Sequence, residues 1–313
     1  MKNCFLFPGQ GSQYPGMARD LWEKIPAVKE LFAKASDASE ADVGRLLFDS
    51  SEEELKATDK TQIAITIANL AASTALKQAG VALQGCAGFS LGEYAALCEA
   101  GVISLKDVFP IVKTRGALME KAARSLDSGH GKPGMAAVLG LPAAKVTSVM
   151  ETVSRDAAVF IANLNSPTQV VVSGTAEGLD KAEKTLKEAG ARRFHRLTVS
   201  GPFHSPLLAE ARREFDDALA GYEFSDPSVP VYSNVTGRAI MSGSEARRLC
   251  GEQIVSTVRW VTVEQSLFSD GFDIFFEAGP GTVLTGLLKA LQPHVVCHPA
   301  GTLPGIAKAT GEG

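Results

Sequence analysis

A regular succession of short apolar runs and helical periods constrains the fold of this chain more than any other feature. From residue 135 to residue 199 the order is strand, helix, strand, strand, helix, strand, with an Asn-Ser-Pro turn between the two middle strands. This βαββαβ order is typical of a ferredoxin-like unit. On both sides of it, apolar runs alternate with helical segments, which predicts a mainly parallel sheet covered on both faces. The predicted fold class is therefore α/β, with a ferredoxin-like subdomain inserted into a larger core.

A polar, glycine-rich stretch separates the two units. Its sequence, SLDSGHGKPG at 125–134, has the composition of a linker. We therefore expect residues 1–127 and 199–313 to form the core, and residues 128–198 to form the inserted subdomain.

Composition argues against several classes of protein. The net charge of −4 provides no basic field for nucleic acid, and the apolar runs are too short for a membrane helix. Five scattered cysteines without a C-x-x-C pair predict neither a disulfide scaffold nor a zinc knuckle. We expect a cytoplasmic protein that contacts neither nucleic acid nor membrane and holds no metal.

The segment Gly88–Gly92, GFSLG, fits the G-x-S-x-G pattern of a nucleophile elbow. An apolar approach precedes it and a helical segment follows it, which is the context that such an elbow requires. Ser90 would then lie at a helix N-terminus, where free backbone N–H groups favour a developing negative charge. The alternative is a plain glycine turn that Ser90 caps.

A serine nucleophile needs a base. Of the five histidines we favour His204, because it stands in VSGPFHSP, where the chain returns from the insertion to the core. Loops at such returns carry sites in α/β proteins. No acidic residue between Ser90 and His204 sits in a distinctive turn, so a Ser-His dyad oriented by a backbone carbonyl would have to suffice. The alternative for His204 is a turn histidine satisfied by backbone groups.

The first predicted strand, residues 3–7, leads into a glycine-rich loop, PGQG. The loop does not match the dinucleotide-binding pattern, because Tyr14 stands where G-x-G-x-x-G needs its third glycine. We predict instead that the Gln10 N–H donates to an oxyanion, together with the N–H of Leu91, the residue after the nucleophile.

Arg115 lies in an otherwise apolar helical segment, IVKTRGALM, and Met119 shares its face of the helix. One interpretation is a surface arginine whose stem packs on the helix while its charge stays in water. The other is a guanidinium that binds a substrate carboxylate through two parallel hydrogen bonds.

Several long motifs together resemble the malonyl-CoA:acyl carrier protein transacylase family, which includes the acyltransferase domains of polyketide synthases. They occur in the family's order, span nearly the whole chain, and are FPGQGSQYPGM, GFSLGEYAAL, TRGALM, IANLNSPTQVVVSG, GPFHSPLL, VYSNVTG, QIVSTVRW and EAGPGTVLTGL. The resemblance implies an α/β-hydrolase-like catalytic core, the inserted ferredoxin-like subdomain, and an active site in the cleft between them.

The resemblance also implies roles for individual residues. Ser90 is the expected nucleophile, and His204 is its general base and later its acid. The Gln253 backbone carbonyl would orient the imidazole, and the two N–H donors named above would form the oxyanion hole. Arg115 would hold the malonyl carboxylate. The residues expected to line the cleft are Gln62, Phe89, Met119, Asn163 and Phe203.

The implied reaction is a ping-pong transfer without a cofactor. Ser90 would attack the thioester of malonyl-CoA, and the thiol of a phosphopantetheine arm on an acyl carrier protein would then take the malonyl group. The product would feed fatty acid or polyketide synthesis, and we expect a monomer. Because the carriers that this family serves are acidic, docking is expected on basic residues of the insertion, which are Lys184, Lys187, Arg192, Arg193 and Arg196. Ordinary solvated charges are the alternative for these side chains.

The chain departs from the family directly before the nucleophile. Most members have histidine there, in G-H-S-L-G-E, whereas this chain has Phe89. The change leaves the dyad untouched and concerns the selectivity between acyl groups. Phe203, directly before His204, is the residue type found in malonyl-selective members.

Two other functions fit parts of the pattern. A hydrolase with the same elbow would release free malonate, and Arg115 argues against an esterase of neutral acyl chains. A catalytically silent carrier-binding protein would form no acyl-enzyme, and the presence of Ser90, His204 and Arg115 together argues against it.

Overall fold

The computed structural model describes residues 1–127 and 131–311. Its strands, numbered along the chain, are β1 (Asn3–Phe7), β2 (Cys86–Gly88), β3 (Gly134–Leu139), β4 (Val159–Ser166), β5 (Gln169–Gly174), β6 (Arg193–Arg196), β7 (Val231–Tyr232), β8 (Ile274–Glu277) and β9 (Val296–Pro299). Its α-helices are α1 (Arg19–Lys24), α2 (Pro26–Ser39), α3 (Val43–Phe48), α4 (Glu52–Lys56), α5 (Thr58–Gln78), α6 (Gly92–Glu99), α7 (Leu105–Ser125), α8 (Ala143–Asp156), α9 (Ala176–Glu188), α10 (Ala209–Leu219), α11 (Gly243–Val255), α12 (Trp260–Ser269), α13 (Val283–Leu291) and α14 (Leu303–Thr310). In this described part of the chain, no helix combines the length and the apolar character that crossing a membrane would require.

The core sheet is parallel, with the strand order β7-β2-β1-β8-β9. Its central strand β1 is almost wholly apolar, as is typical of a parallel strand covered on both faces. Phe5 and Phe7 belong to one buried apolar cluster, and Cys4 and Leu6 belong to a second. Because β1 and β2 are neighbours and run in the same direction, the loops that follow them meet at one edge of the sheet. That edge brings the PGQG loop next to Ser90.

The inserted sheet is antiparallel, with the strand order β4-β5-β3-β6. Val138 and Val172 pack with Leu186 of α9 in a cluster that also includes residues of α8. The opposite face, which carries Ala137 and Val171, belongs to the large core cluster. The predicted fold class, an α/β core with a ferredoxin-like insertion, is confirmed.

The insertion is tied back to the core by its edge strand β4. The Leu164 N–H donates to the Val258 carbonyl at 2.9 Å, and the Val258 N–H donates to the Ala162 carbonyl at 2.8 Å. These two bonds hold the loop between α11 and α12 against β4. As a result, β4, whose Asn163 and Asn165 line the cleft, is hydrogen-bonded directly to the core.

Element boundaries differ from the sequence expectation in a few places. The last strand of the unit expected at 135–199 ends at Arg196, and residues 197–199 line the cleft instead. Strands β3 to β6 lie inside the expected range 128–198. Residues 128–130, which include His130 and the expected boundary after residue 127, lie outside the described residues, so the domain boundary stays a prediction.

Candidate active site

Ser90 occupies a sharp turn between β2 and α6. Its φ of +51° lies in the left-handed region, which non-glycine residues rarely adopt. The turn requires glycine on either side. A Cβ at Gly88 would overlap the Gly92 carbonyl, and a Cβ at Gly92 would overlap the Phe7 carbonyl. The G-x-S-x-G spacing is therefore a steric requirement of the elbow.

We predict that Gly88→Ala destabilises the protein, because the added methyl group has backbone rather than a flexible side chain to displace. Forced overpacking of this kind costs about 1–3 kcal/mol. Urea unfolding measures the effect. Gly44→Ala in α3 is the matched control, since its nearest neighbour would be at an ordinary 3.5 Å. Equal free energies of unfolding for Gly88→Ala and the native protein would contradict this account of the elbow.

His204 lies directly beside the serine. Its Nε2 is 2.7 Å from the Ser90 Oγ, and its Nδ1 is 2.9 Å from the Gln253 backbone carbonyl. A carbonyl only accepts, so Nδ1 must carry the proton, and Nε2 is then free to accept the Ser90 hydroxyl proton. Burial, and then the charge of Arg115, lower the pKa of His204 to about 4. At neutral pH the imidazole is therefore uncharged and able to act as a base.

Two backbone donors face the same cleft. Gln10 and Leu91 both line it, and neither N–H donates to an acceptor among residues 1–127 and 131–311. The loop before Gln10 is held by Asn69, whose Nδ2 donates to the Pro8 carbonyl at 2.9 Å. Two residues of the cleft that contains Ser90 therefore have unpaired backbone N–H groups, and an oxyanion hole requires such donors.

Arg115 is buried, with only 1% of its surface exposed, so the interpretation as a solvated surface arginine is wrong. Its Nη1 donates to Gln62 Oε1 and its Nη2 to Gln253 Oε1, both at 2.9 Å. The Tyr94 ring lies 5.3 Å from the guanidinium carbon. The Arg115 Nε has no hydrogen-bond partner in the described chain. Arg115 lines the cleft that Ser90 and His204 also line, so a buried cation belongs to the wall of the same cleft.

The cleft has a volume of about 350 Å³ and lies between the core and the inserted sheet. Four of the five residues expected to line it do so, and they are Phe89, Met119, Asn163 and Phe203. Gln62 does not. It is fully buried behind Arg115, where it accepts a hydrogen bond from the guanidinium. Among the described residues, no three His, Cys, Asp or Glu side chains are grouped so as to hold a metal ion.

The sequence model of the acyl transferase domain matches residues 4–303. The chain belongs to this family. It is 39% identical over 292 residues to the malonyl CoA-acyl carrier protein transacylase of Bacillus subtilis (strain 168), which covers 93% of this chain and 90% of that protein. The malonyl CoA-acyl carrier protein transacylase of Clostridium perfringens is similar in structure, with a TM-score of 0.94, 35% identity and coverage of 100% and 97% of the two chains. A malonyl-transacylase solved in complex with a type II polyketide synthase acyl-carrier protein has a TM-score of 0.93, 34% identity and full coverage of both chains.

Two polar residues at this acyl transferase site were not predicted from the sequence. Glu93 is buried one turn after Ser90, and its Oε2 accepts from the Asn234 N–H at 2.9 Å and from Gln253 Nε2 at 2.8 Å. Burial raises the pKa of Glu93 to about 7. Asn234 is buried two residues after β7 and contacts the elbow directly. Both lie inside motifs of the family, GFSLGEYAAL and VYSNVTG, but periodicity alone gave neither a role.

Proposed function

We propose that the chain is a malonyl-CoA:acyl carrier protein S-malonyltransferase that feeds fatty acid or polyketide synthesis. The observation that carries the proposal is the buried Arg115, which lines the same cleft as the Ser90–His204 pair and whose guanidinium is held by the amide oxygens of Gln62 and Gln253 rather than by a carboxylate. Burying a cation without a carboxylate partner is unfavourable, and a substrate carboxylate would supply that partner. The names of these relatives agree with this acyl group and with a carrier protein as acceptor.

The reaction begins with the attack of Ser90 Oγ on the thioester carbonyl of malonyl-CoA. His204 Nε2 takes the hydroxyl proton, and the Gln253 carbonyl stabilises the imidazolium that forms. The N–H groups of Gln10 and Leu91 donate to the carbonyl oxygen as it becomes an oxyanion. Collapse of this intermediate breaks the carbon–sulfur bond, and the CoA thiolate leaves with the proton from His204.

The second half reverses the first with a new thiol. The phosphopantetheine thiol of the carrier gives its proton to His204 and attacks the malonyl ester on Ser90. The ester carbon–oxygen bond breaks, and Ser90 Oγ recovers the proton from the imidazolium. One dyad serves both halves because they are the same reaction in opposite directions: the first converts a thioester into the Ser90 oxygen ester, and the second converts that ester back into a thioester.

Intact-mass measurement tests the proposed function. We expect a stable malonyl-enzyme when the protein is mixed with malonyl-CoA, little acetyl-enzyme from acetyl-CoA, and loss of the malonyl group when a carrier bearing phosphopantetheine is added. Release of free malonate faster than transfer to the carrier would favour a hydrolase. Failure to form any acyl-enzyme would favour a silent carrier-binding protein.

Phe89 is the position at which we expect selectivity to be tunable. Its ring is partly buried, lines the cleft and packs edge-on against Trp260, with ring centroids 5.3 Å apart. The ring excludes water but cannot donate a hydrogen bond to a carboxylate. Phe89→His restores a donor worth about 0.5–1.5 kcal/mol. We therefore expect the malonyl-to-acetyl ratio of kcat/KM to rise roughly two- to tenfold. A lower ratio would mean that the phenyl ring itself favours malonyl.

The carrier is expected to dock near β6. The register of the inserted sheet shows which arginines of β6 share a face with the cleft. Arg196 is in register with Ala136 on the helix-covered face and donates to Asp180 at 2.7 Å. Arg193 is in register with Leu139, on the same face as Ala137, which lines the cleft. Arg193 is exposed beside the cleft, whereas Arg196 forms an ion pair with Asp180 of the inserted subdomain.

Charge reversal at Arg193 tests this docking surface. We expect Arg193→Glu to raise the carrier KM about three- to tenfold, because rim charges act mainly on encounter, while malonyl-enzyme formation from malonyl-CoA stays unchanged. The salt dependence of the carrier KM should weaken in parallel. Arg196→Glu is the matched control and should change the carrier KM less. Equal effects of the two charge reversals on the carrier KM would show that the carrier does not dock on the face of β6 that carries Arg193.

A further inference from the structure

The elbow interrupts a hydrogen-bonded ladder between two strands. β2 pairs in parallel with β7, in the register Cys86↔Val231 and Ala87↔Tyr232. If the ladder continued, Gly88 and Ser90 would exchange bonds with backbone groups of the chain after β7. The sharp turn at Ser90 carries the backbone away from its neighbour instead. The Gly88 carbonyl and the Ser90 N–H are therefore left without strand partners, in a buried region where unpaired groups are costly.

The carboxamide of Asn234 supplies both missing partners. Its Oδ1 accepts from the Ser90 N–H at 2.6 Å, and its Nδ2 donates to the Gly88 carbonyl at 2.7 Å. A carboxamide carries one acceptor and one set of donors in the same planar arrangement as a peptide group. The side chain therefore takes the place of a peptide of the neighbouring strand, at the point where the backbone ladder ends.

Asn234 is itself held in place from two sides. Its own N–H donates to Glu93 Oε2 at 2.9 Å, and its carbonyl accepts from the Arg259 N–H at 2.9 Å. Glu93 lies on α6, the helix that the elbow begins, so the strand end and the helix start are linked. Asn234 is fully buried, and it does not line the cleft that contains Ser90 and His204. It therefore acts on the nucleophile without touching the acyl group.

We propose that Asn234 is a positioning residue for the nucleophile: its carboxamide bridges the Gly88 carbonyl and the Ser90 N–H and so holds Ser90 in its left-handed conformation, with Oγ facing His204. The bond to the Ser90 N–H also directs that donor away from the cleft. The oxyanion is then left to the N–H groups of Gln10 and Leu91. This inference rests on the proposed function only in taking Ser90 as the nucleophile.

The experiment measures the reactivity of Ser90 with and without an acyl substrate. A fluorophosphonate probe reports the activated serine directly, and acylation by malonyl-CoA and acetyl-CoA reports the complete site. For Asn234→Ala we expect probe labelling and the maximal acylation rate to fall roughly tenfold to a hundredfold, because misplacement by about 1 Å costs on that order. We expect the KM for malonyl-CoA and the malonyl-to-acetyl ratio to change less than about threefold.

Two further variants separate positioning from general stability. Asn234→Asp keeps the shape and the acceptor for Ser90, but above the pKa of the new carboxyl group it places a carboxylate oxygen against the Gly88 carbonyl. Its labelling at alkaline pH should therefore be as slow as that of Asn234→Ala. Tyr232→Phe is the matched control on β7, because it loses a hydrogen bond to Asp270 without touching the elbow. It should label at the native rate. If Asn234→Ala does not fold, the labelling rate of Asn234→Asp is compared with that of Tyr232→Phe instead.

Several outcomes would overturn the proposal. Native labelling by Asn234→Ala or Asn234→Asp would show that the bridge does not position Ser90, and equal losses in Tyr232→Phe would show that strand stability explains the effect. A change confined to KM or to the acyl ratio would place Asn234 in substrate binding. If the native protein reacts with the probe but not with malonyl-CoA, the proposed function fails, while the labelling rates still decide the role of Asn234.

Discussion

Ser90→Ala should form no malonyl-enzyme while remaining folded. The substitution removes the hydroxyl that lies 2.7 Å from His204 Nε2 and leaves every backbone bond of the elbow in place. Without an acceptor for the acyl group there is no ping-pong intermediate, and transfer to the carrier should fall by at least ~10⁴-fold. The free energy of unfolding should change by only about 1 kcal/mol, the net worth of one hydrogen bond. Intact mass and thermal unfolding measure the two effects.

The matched control is another serine of the same cleft. Ser12 lines the cleft, and its hydroxyl donates to the Gly9 carbonyl at 2.8 Å rather than to the dyad. Ser12→Ala should still acquire the malonyl mass. A Ser90→Ala protein that gains this mass would identify a different nucleophile and would refute the proposed mechanism.

Sequence patterns were sufficient to predict the fold class because the strands and helices of both units have local sequence patterns that identify them. Within residues 135–199 the structure has the expected order of strands and helices, because segments such as β5 (Gln169–Gly174) and α9 (Ala176–Glu188) have a clear apolar period and a glycine or threonine boundary. Helices α11 and α12 were not predicted. The buried positions of α11 (Gly243–Val255) recur at helical spacing, but they include two glycines and Gln253, so the apolar period that marks a helix in sequence is weak there.

The candidate site divides in the same way. Ser90 could be found because the elbow needs small residues at fixed spacing, which leaves a mark in the sequence. His204 and Gln253 are 49 positions apart, and their contact depends on how α11 packs beside the loop after the insertion. Gln62 and Asn234 serve the site through side-chain carboxamides, whose partners are set only in three dimensions. No local pattern separates such residues from ordinary buried amides.

Arg115→Ala should lower kcat/KM for malonyl-CoA far more than for acetyl-CoA. The guanidinium is buried and is held by Gln62 and Gln253, and Arg115 lines the cleft. Losing a charge-assisted hydrogen bond between a buried guanidinium and a carboxylate costs about 2–5 kcal/mol. That energy corresponds to roughly a 30- to 5,000-fold loss for malonyl. Acetyl has no carboxylate, so its kcat/KM should change little.

Arg115→Lys tests whether charge alone is enough. An ammonium group keeps the charge but cannot present two parallel donors, and it cannot satisfy Gln62 and Gln253 together in the native geometry. We therefore expect malonyl transfer by Arg115→Lys to lie between the native protein and Arg115→Ala, with the malonyl-to-acetyl ratio reduced in both variants. Equal losses for the two acyl groups would assign Arg115 a structural role. The loss would then come from the buried amide oxygens of Gln62 and Gln253, which lose their hydrogen-bond donor. If Arg115→Ala keeps the native malonyl-to-acetyl ratio of kcat/KM, Arg115 does not bind the malonyl carboxylate.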